Sequence, residues 1–255
     1  MIRDPLVSVL VVTVLAVGVG SVSSAELPKQ DTLDTANGPL VIHPIEHATF
    51  VMEWNGQTVY VDPVGGAERF AAFPAPDLVL VTHIHGDHLS AETLASVTSD
   101  DTPVLAPASV ADELGDRAPA RLTILAHGSR FDLGGITVEA LPAYNLDPER
   151  LDFHPRERDD NSYVVSVGGL RLYISGDTED IPEMRSLKDI DAAFVCMNLP
   201  YTMTVEQAAD AVLDFAPHIV YPYHYRGKNG MSDLDLFTRR VAADPSIEVR
   251  RLAWY

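Results

Sequence analysis

A cluster of metal-binding side chains constrains the fold of this chain more than any other feature. The cluster lies within residues 83–88, directly after an apolar run at residues 77–81, and consists of His83, His85, Asp87 and His88. An apolar run preceded by Pro-Ala-Pro is typical of a buried strand, so the cluster is expected on the loop where that strand ends. Imidazole and carboxylate groups suit zinc, iron or manganese, and a loop lets side chains diverge toward two neighbouring ions. The sequence therefore predicts a metal site at the end of a buried strand.

The spacing His83-x-His85-x-Asp87-His88 resembles the signature of the metallo-β-lactamase superfamily, and the resemblance covers most of the chain. It implies an α/β fold, the four-layer αββα sandwich of two similar halves, with one or two metal ions in the cleft where the sheets meet. The motif does not identify a substrate, because one fold can host very different chemistries.

A second stretch resembles the ascorbate-phosphate lactonase-like branch of that superfamily. Members of this branch have a histidine followed by a small residue and, later, an Asp-Pro pair; here these are His47-Ala48 and Asp62-Pro63. Asp62 could accept a hydrogen bond from a metal-binding imidazole and so fix its tautomer. His47 is expected either near the site or as a structural histidine at the sheet edge.

One position departs from the family pattern. Family members usually present the third histidine of the first ion at a strand end, where this chain has Asn145. Either His154, farther along the same irregular loop, supplies the missing imidazole, or the first ion site is weak or empty. We expect His154 to supply it, because a long irregular loop in a compact domain is usually functional. Asn145 is then assigned to substrate binding.

Two later strand ends complete the ligand set that the resemblance implies. A strand that closes on Gly176-Asp177 matches the position of an aspartate that bridges two metals, and the strand before His224 matches that of the last ligand. Class B1 and B3 β-lactamases do not place a bridging aspartate there. Asp177 therefore argues against antibiotic hydrolysis as the main activity.

The resemblance implies two divalent ions, with zinc expected first and manganese or iron as alternatives. The first ion would be held by His83, His85 and His154, the second by Asp87, His88 and His224, with Asp177 bridging them. Such a pair can lower the pKa of a bridging water and polarise a carbonyl or phosphoryl oxygen, which predicts hydrolysis of an ester, lactone or phosphodiester in a small molecule. Asp87 is the expected catalytic residue, orienting the hydroxide and passing a proton to the leaving group.

Other functions stay open on the sequence alone. A protein of this fold with one metal ion or none could sequester a ligand, and Asn145 favours that alternative. A di-iron redox protein is a third candidate. Arg226 and Lys228 follow His224 and could attract an anionic substrate, although such residues are commonly solvated surface charges.

The N-terminal residues resemble a secretory signal peptide. An apolar stretch begins at Leu6, and small residues end at Ala25, so we expect cleavage there and export to a periplasm or the cell exterior. The alternative is a membrane anchor formed by residues 6–22. Residues 26–255 fit a single domain, with no membrane contact after cleavage; the oligomeric state is not predicted.

Charge and cysteine content exclude some partners and some sources of stability. The formal charge is −19, from 18 basic and 37 acidic residues, and so acidic a surface repels nucleic acid. The single cysteine, Cys196, cannot form an internal disulfide, so stability has to come from the core.

Local patterns predict several element boundaries. Asn55-Gly56 between two apolar runs predicts a type I′ hairpin. A helix is expected from Ser90 to residue 97, and capping boxes are expected at Ser109 and at Thr204. A last strand is expected at residues 247–252.

Overall fold

The computed structural model describes Met1 and residues 29–255. The signal-peptide prediction and its cleavage site at Ala25 fall on residues 2–28, outside the described residues, and stay predictions. Among the described residues, no helix is long and apolar enough to cross a membrane.

The first of two large sheets is built by the N-terminal part of the described chain. Its seven strands lie in chain order: β1 Asp31–Thr35, β2 Gly38–Glu46, β3 Thr49–Trp54, β4 Gln57–Val61, β5 Leu78–Leu80, β6 Val104–Ala106 and β7 Leu122–Ile124. The first four strands form an antiparallel meander, and β4 to β7 run parallel to one another.

The second sheet repeats this plan. Its strands are β8 Arg130–Leu133, β9 Ile136–Pro142, β10 Asn161–Val167, β11 Leu170–Ile174, β12 Ala192–Cys196, β13 Ile219–Tyr223 and, after the short hairpin β14 Arg226–Gly227 and β15 Gly230–Met231, β16 Glu248–Val249. Strands β8 to β11 are antiparallel, whereas β11, β12, β13 and β16 are parallel. The two sheets therefore form two similar halves, as the resemblance implied.

Strand side chains alternate between a central core and the outer helices. Phe50 and Met52 of β3 belong to the core between the sheets, whereas Val51 belongs to the cluster on the outer face of the first sheet. The rings of Phe50 and Phe194, one from each sheet, stack with centroids 4.5 Å apart. Each such fully buried side chain contributes about 1.5–3 kcal/mol.

Helices cover the outer faces of both sheets. They are α1 Ala91–Val97, α2 Ala108–Leu114, α3 Pro182–Arg185, α4 Val205–Phe215 and α5 Leu234–Val241, with 3₁₀ turns at Ala67–Phe70, Gly115–Arg117 and Arg156–Arg158. Leu94 and Val110 cover the first sheet, and Val212 and Phe237 pack with the second. The four-layer αββα prediction is confirmed.

Most of the predicted boundaries are found. Asn55 and Gly56 have φ angles of 50° and 76°, as a type I′ turn requires. Ser90 caps α1 by accepting from Thr93 N, and Thr204 forms a complete capping box with Gln207.

Other boundary predictions are wrong, each for a local reason. The capping box at Ser109 is absent because α2 already begins at Ala108 after Pro107, which has no side-chain acceptor. The last strand shortens to Glu248–Val249. Strands β1 and β8 were not expected, because their polar sequences carry a weak strand signal.

Candidate metal centre

The candidate ligands meet at the carboxyl ends of strands in both sheets. His83 to His88 follow β5, Asp177 follows β11, and His224 follows β13. His154 comes from the irregular segment between β9 and β10. Parallel strands that end at a common edge bring side chains distant in sequence into one cleft.

Three imidazoles form the first group of donors. His83, His85 and His154 each offer a ring nitrogen, and these atoms lie within 4.8 Å of one another. The Nε2 of His83 is 3.0 Å from the Nδ1 of His85, and the His154 ring is 4.7 Å from that of His85. The structure thus brings His154 to the place where the resemblance implies a third imidazole.

Asp177 connects this group to the remaining histidines. Its Oδ2 is 3.5 Å from the Nε2 of His154. Its Oδ1 is 3.4 Å from the Nε2 of His88 and 3.4 Å from the Nε2 of His224. One buried carboxylate therefore directs one oxygen at each side of the cleft, which is the arrangement expected of a bridging ligand.

Asp87 lies at the more open side of this cluster. Its Oδ2 is 3.3 Å from the Nε2 of His224, and its side chain is 44% exposed. Donor atoms of Asp87, His224 and His47 lie within 4.8 Å of one another, as do those of His83, His88 and Asp177. The three donors predicted for the second ion thus fall in two of these groups, which are adjacent because the rings of His88 and His224 lie 4.9 Å apart.

Several donor atoms are buried and have no hydrogen-bond partner in the part of the chain that the structure describes. They are the Nε2 atoms of His88 and His154 and the Oδ1 of Asp177. An unsatisfied buried polar atom costs about 1–3 kcal/mol, so a cluster of them at one place calls for a ligand. Neutral imidazoles and carboxylates that converge in this way fit divalent metal ions.

Asp62 and Thr82 hold two histidines of the loop in place by hydrogen bonds to their Nδ1 atoms. The Nδ1 of His88 donates to Asp62 Oδ2 at 2.7 Å, which leaves its Nε2 directed at Asp177. The Thr82 backbone N–H donates to Asp62 Oδ1 at 2.7 Å and its hydroxyl to Oδ2 at 2.8 Å. The same hydroxyl oxygen can then accept from His83 Nδ1 at 3.0 Å, which frees the His83 Nε2 for a metal. The hydrogen bond predicted between Asp62 and an imidazole is present. The role of Thr82 was not predicted.

Two of the histidines are held neutral. Burial, reinforced by the charges of His88 and His154, places the pKa of His83 well below its usual value. Burial and the charges of His154 and Arg158 lower the pKa of His85 to about 4. Both imidazoles therefore present free lone pairs at neutral pH.

The pKa values of the other three histidines are raised instead of lowered. Burial opposes protonation of His88, but the carboxylates of Asp177 and Asp62 outweigh it and raise its pKa well above the usual value. Burial is likewise outweighed at His154 and His224, whose pKa values are raised by contacts that include Asp177. For Asp177, the charges of His224 and His88 outweigh burial and hold the carboxyl pKa well below its usual value. Without metal, protons on these three histidines supply part of the positive charge that the carboxylates of the cleft would otherwise receive from metal ions.

Asn145 holds the loop that carries His154. Its Nδ2 donates to the carbonyl oxygens of Arg150 and Tyr201 at 2.9 and 2.8 Å, and its backbone N–H donates to the carbonyl oxygen of His154 at 2.8 Å. Asn145 is buried and does not line the cavity described below. Its assignment to substrate binding is therefore not favoured by its position.

Glu179 reinforces the same loop and was not predicted. This fully buried carboxylate accepts from the backbone N–H groups of Leu146 and Asp147 at 2.6 and 2.7 Å, and it pairs with Arg150. Its sequence signal was slight and consisted of its position directly after the Gly-Asp-Thr motif.

Arg158 is a second unpredicted neighbour of the imidazoles. Its Nη2 is 3.1 Å from His154 Nδ1, and its Nη1 is 3.4 Å from His85 Nε2. Asp160 accepts from Arg158 and lies 3.6 Å from His154 Nδ1. This pair lies behind the first group of donors, on the side away from Asp177.

Asn198 reaches the donors from the end of β12. Its Nδ2 is 3.0 Å from His224 Nε2 and 3.4 Å from Asp177 Oδ2, while its Oδ1 accepts from Thr202. A single asparagine after an apolar strand gives little sequence signal, and its role depends on which strands are neighbours.

Four of the donors, His85, Asp87, His154 and Asp177, form the floor of an open cavity of about 520 Å³. Its lining is His47, His85, Asp87, Phe153, His154, Asp177, Asn198, Tyr201, Arg226, Gly227 and Lys228. Arg226 lines the cavity, as the substrate-binding prediction requires. Its Nη2 lies 2.7 Å from the Nε2 of His47, which lies in the turn between β2 and β3 and also lines the cavity.

Comparison with known proteins gives the family. A family model described as a beta-lactamase superfamily domain matches residues 41–224. A protein of Lysinibacillus sphaericus named as a metal-dependent hydrolase is 28% identical over 190 residues, 70% of this chain and 82% of that relative. A solved structure from Parabacteroides distasonis, provisionally named as a metal-dependent hydrolase, is 39% identical with a TM-score of 0.79, covering 89% of this chain and 99% of that one.

A more distant structure shares the fold alone. CmlA, a di-iron β-hydroxylase from Streptomyces venezuelae, is 22% identical with a TM-score of 0.67, covering 84% of this chain and 52% of that one. The comparisons do not test the lactonase-like branch, which stays a prediction. The family model includes every donor from His83 to His224, and the strands that carry them follow the expected plan. The chain therefore belongs to the metallo-β-lactamase superfamily.

Proposed function

We propose that this protein is a hydrolase that uses two divalent ions to cleave an ester, lactone or phosphodiester bond in a small molecule. The observation that carries the proposal is the position of Asp177, whose two oxygens face His154 on one side and His88 and His224 on the other. Ions held there would lower the pKa of a bound water and polarise the oxygen of the scissile group.

The chain itself supplies the remaining groups. Asp87 is half-exposed at the cavity side of the donors, and its pKa is held well below the usual value because His224 and His88 outweigh burial. As an ionised carboxylate it can orient the attacking water and then carry a proton to the leaving group. The Asn198 amide also lines the cavity and can donate a hydrogen bond to the substrate oxygen on which negative charge develops.

The alternative of a metal-poor binding protein loses its main support. It depended on Asn145 replacing a histidine, and here the amide of Asn145 is bonded to loop carbonyls while His154 lies beside His83 and His85. The di-iron redox alternative draws only on a shared fold. Zinc remains our first expectation, since three imidazoles suit it.

Metal analysis and a substrate screen test the proposal together. The full chain is purified, its metal content is measured by mass spectrometry, and turnover is assayed with bis(p-nitrophenyl) phosphate, p-nitrophenyl acetate and a γ-lactone. We expect about two ions per chain, activity on at least one substrate, loss of activity with a chelator and recovery with added metal. A fully loaded protein that hydrolyses none of these bond types would contradict the proposal.

A further inference from the structure

Two kinds of side chain line the cavity beside the metal donors, a cationic pair and an aromatic pair. Arg226 and Lys228 lie on the β14–β15 hairpin, and Phe153 and Tyr201 come from the two neighbouring loops. The rings of Phe153 and Tyr201 pack edge to face with centroids 5.1 Å apart. The cavity therefore has a cationic wall and an aromatic wall.

The cationic wall is held in place by close contacts. A Cβ on Gly227 would lie 2.0 Å from the carbonyl oxygen of Leu199, so only glycine lets the hairpin lie this close to the loop of Tyr201. Lys228 N–H donates to the same oxygen at 2.9 Å. The Arg226 guanidinium packs over the Tyr255 ring, 4.6 Å from its centroid.

The charges on this wall are unusual for so acidic a protein. Arg226 shares Glu46 with Arg69, and within residues 29–255 Lys228 has no ion-pair partner. In a chain with a formal charge of −19, two cations beside a metal-binding floor create a local site for an anion.

Exposed apolar side chains occur on the same segments. Leu146 and Leu151 precede Phe153 on its loop, Leu199 precedes Tyr201, and Met231 ends the hairpin; all four are exposed. Leu151 and Leu199 stand two positions before the two cavity-lining rings, and exposed apolar side chains on such segments favour contact with an apolar partner.

We infer that the substrate is an amphiphilic anion, with an acidic group bound by Arg226 and Lys228 and an apolar chain lying along Phe153 and Tyr201 toward the exposed leucines. The inference rests on the proposed function, since it takes this cavity as the substrate site. It names a substrate class that the metal donors alone do not specify.

Direct binding tests the inference without requiring turnover. Calorimetry on the metal-loaded full chain compares octyl phosphate, below its micelle concentration, with ethyl phosphate. Both carry the same acidic group, so contact with the metal ions is common to them. We expect octyl phosphate to bind at least about tenfold more tightly, the effect of burying two methylene groups. Equal affinities would overturn the inference.

Variants separate the two walls. Arg226→Gln and Lys228→Gln should each weaken both phosphates about threefold or more, while Arg239→Gln, the same charge change on α5, should leave them unchanged. Phe153→Ala or Tyr201→Ala should reduce the preference for the longer chain. If both charge variants bind as the parent does, the cationic wall is not the anion site and the inference fails.

The same data keep the two proposals apart. A protein that prefers octyl phosphate as expected but hydrolyses no test substrate would contradict the proposed function and leave the binding inference standing. Hydrolysis of a test substrate without any preference for the longer chain would support the proposed function and contradict the binding inference. If an aromatic variant misfolds, the preference measured on the parent protein still decides.

Discussion

The two halves of the sandwich are built alike but contribute to the site in different ways. Each half is an antiparallel meander followed by parallel strands with helices outside. The first half delivers its donors from one loop, residues 83–88. The second half delivers them singly, from His154, Asp177 and His224. A local cluster can be recognised in a sequence, whereas dispersed donors acquire meaning only when the strands that carry them become neighbours.

The difference also affects how each set of donors is supported. The loop of the first half rests on Asp62 and Thr82, which hold two of its imidazoles by hydrogen bonds within the same sheet. His154 depends instead on a long loop held by Asn145 and Glu179. We therefore expect changes in this loop to affect mainly the ion that His83, His85 and His154 would hold.

The largest effect should come from Asp177, the residue on which both halves converge. Asp177→Asn keeps the shape but removes the charge shared by three buried histidines. Activity should fall more than about a hundredfold, beyond what outer hydrogen bonds usually cost. The metal-free variant should also unfold about 3–5 kcal/mol more easily, as when one partner of a buried ion pair is removed. Asp180→Asn, on the following turn, is a control. Wild-type activity in the Asp177 variant would show that the halves act separately.

His154→Ala tests whether the second half completes the first ion. Loss of the third imidazole should remove about one ion per chain while His88 and His224 keep the other. Metal content by mass spectrometry gives the result. Asn145→Ala is the matched control, since it loosens the same loop by about 1–3 kcal/mol but removes no donor. Two ions retained in His154→Ala would disprove its role as a ligand.

The contrast between the halves explains how much the sequence could predict. The cluster at residues 83–88 and the turn at Asn55 are local patterns, and so the fold class and the first donors could be inferred directly. His224 and Asp177 needed the family resemblance, because one histidine or aspartate after a strand is common. Glu179 and Asn198 were missed, since the groups that give them a role at the site, Leu146 N–H for Glu179 and His224 for Asn198, lie 33 and 26 positions away along the chain.

Asp62→Asn should weaken support within the first half alone. An amide has one acceptor oxygen and no charge, so it cannot accept both from the Thr82 N–H and from the Nδ1–H of His88, and His88 becomes a less basic and less well oriented ligand. We expect a 10–100-fold loss of affinity for one ion, with full occupancy restored at high metal concentration. Competition with a fluorescent chelator measures it. Loss of both ions together would indicate that Asp62 supports the whole loop.

The pH dependence of metal binding should distinguish two sets of histidines in the site. His83 and His85 have lowered pKa values and need not lose protons, whereas His154 and His224, with His88, have raised ones. Metal binding at pH 6 should therefore release about two protons or more. The affinity for metal should fall about tenfold for each unit by which the pH is lowered and for each proton released. Calorimetry in buffers of different ionisation enthalpy counts them.

The metal-free protein should show the opposite trend in stability. Because the folded-state pKa of His88 is raised above 6.5, its contribution to stability is fully present below that pH. It is lost as the pH rises through the raised value. Denaturant unfolding of the chelator-treated chain at several pH values checks the sign, with His88→Gln as the comparison that should lack this contribution.

The smallest effect concerns the helices outside the sheets. In the second half Thr204 caps α4, accepting from Gln207 N at 3.1 Å, and Gln207 Oε1 accepts from Arg150, which also pairs with Glu179 under the His154 loop. In the first half the Ser109 hydroxyl does not cap α2, and it is buried with no hydrogen-bond partner among residues 29–255. Thr204→Ala should therefore lower the free energy of unfolding by about 1 kcal/mol.

Ser109→Ala provides the contrast, because removing an unpaired hydroxyl should change stability by less than about 0.5 kcal/mol. Thr204→Ser, which keeps the cap, should behave like the parent. If the cap also steadies Arg150, Thr204→Ala should loosen the ion held by His154 slightly, and metal titration would reveal it. Equal destabilisation by the Thr204 and Ser109 alanine variants would mean that the helices of the two halves are anchored by their apolar faces alone, independently of their caps.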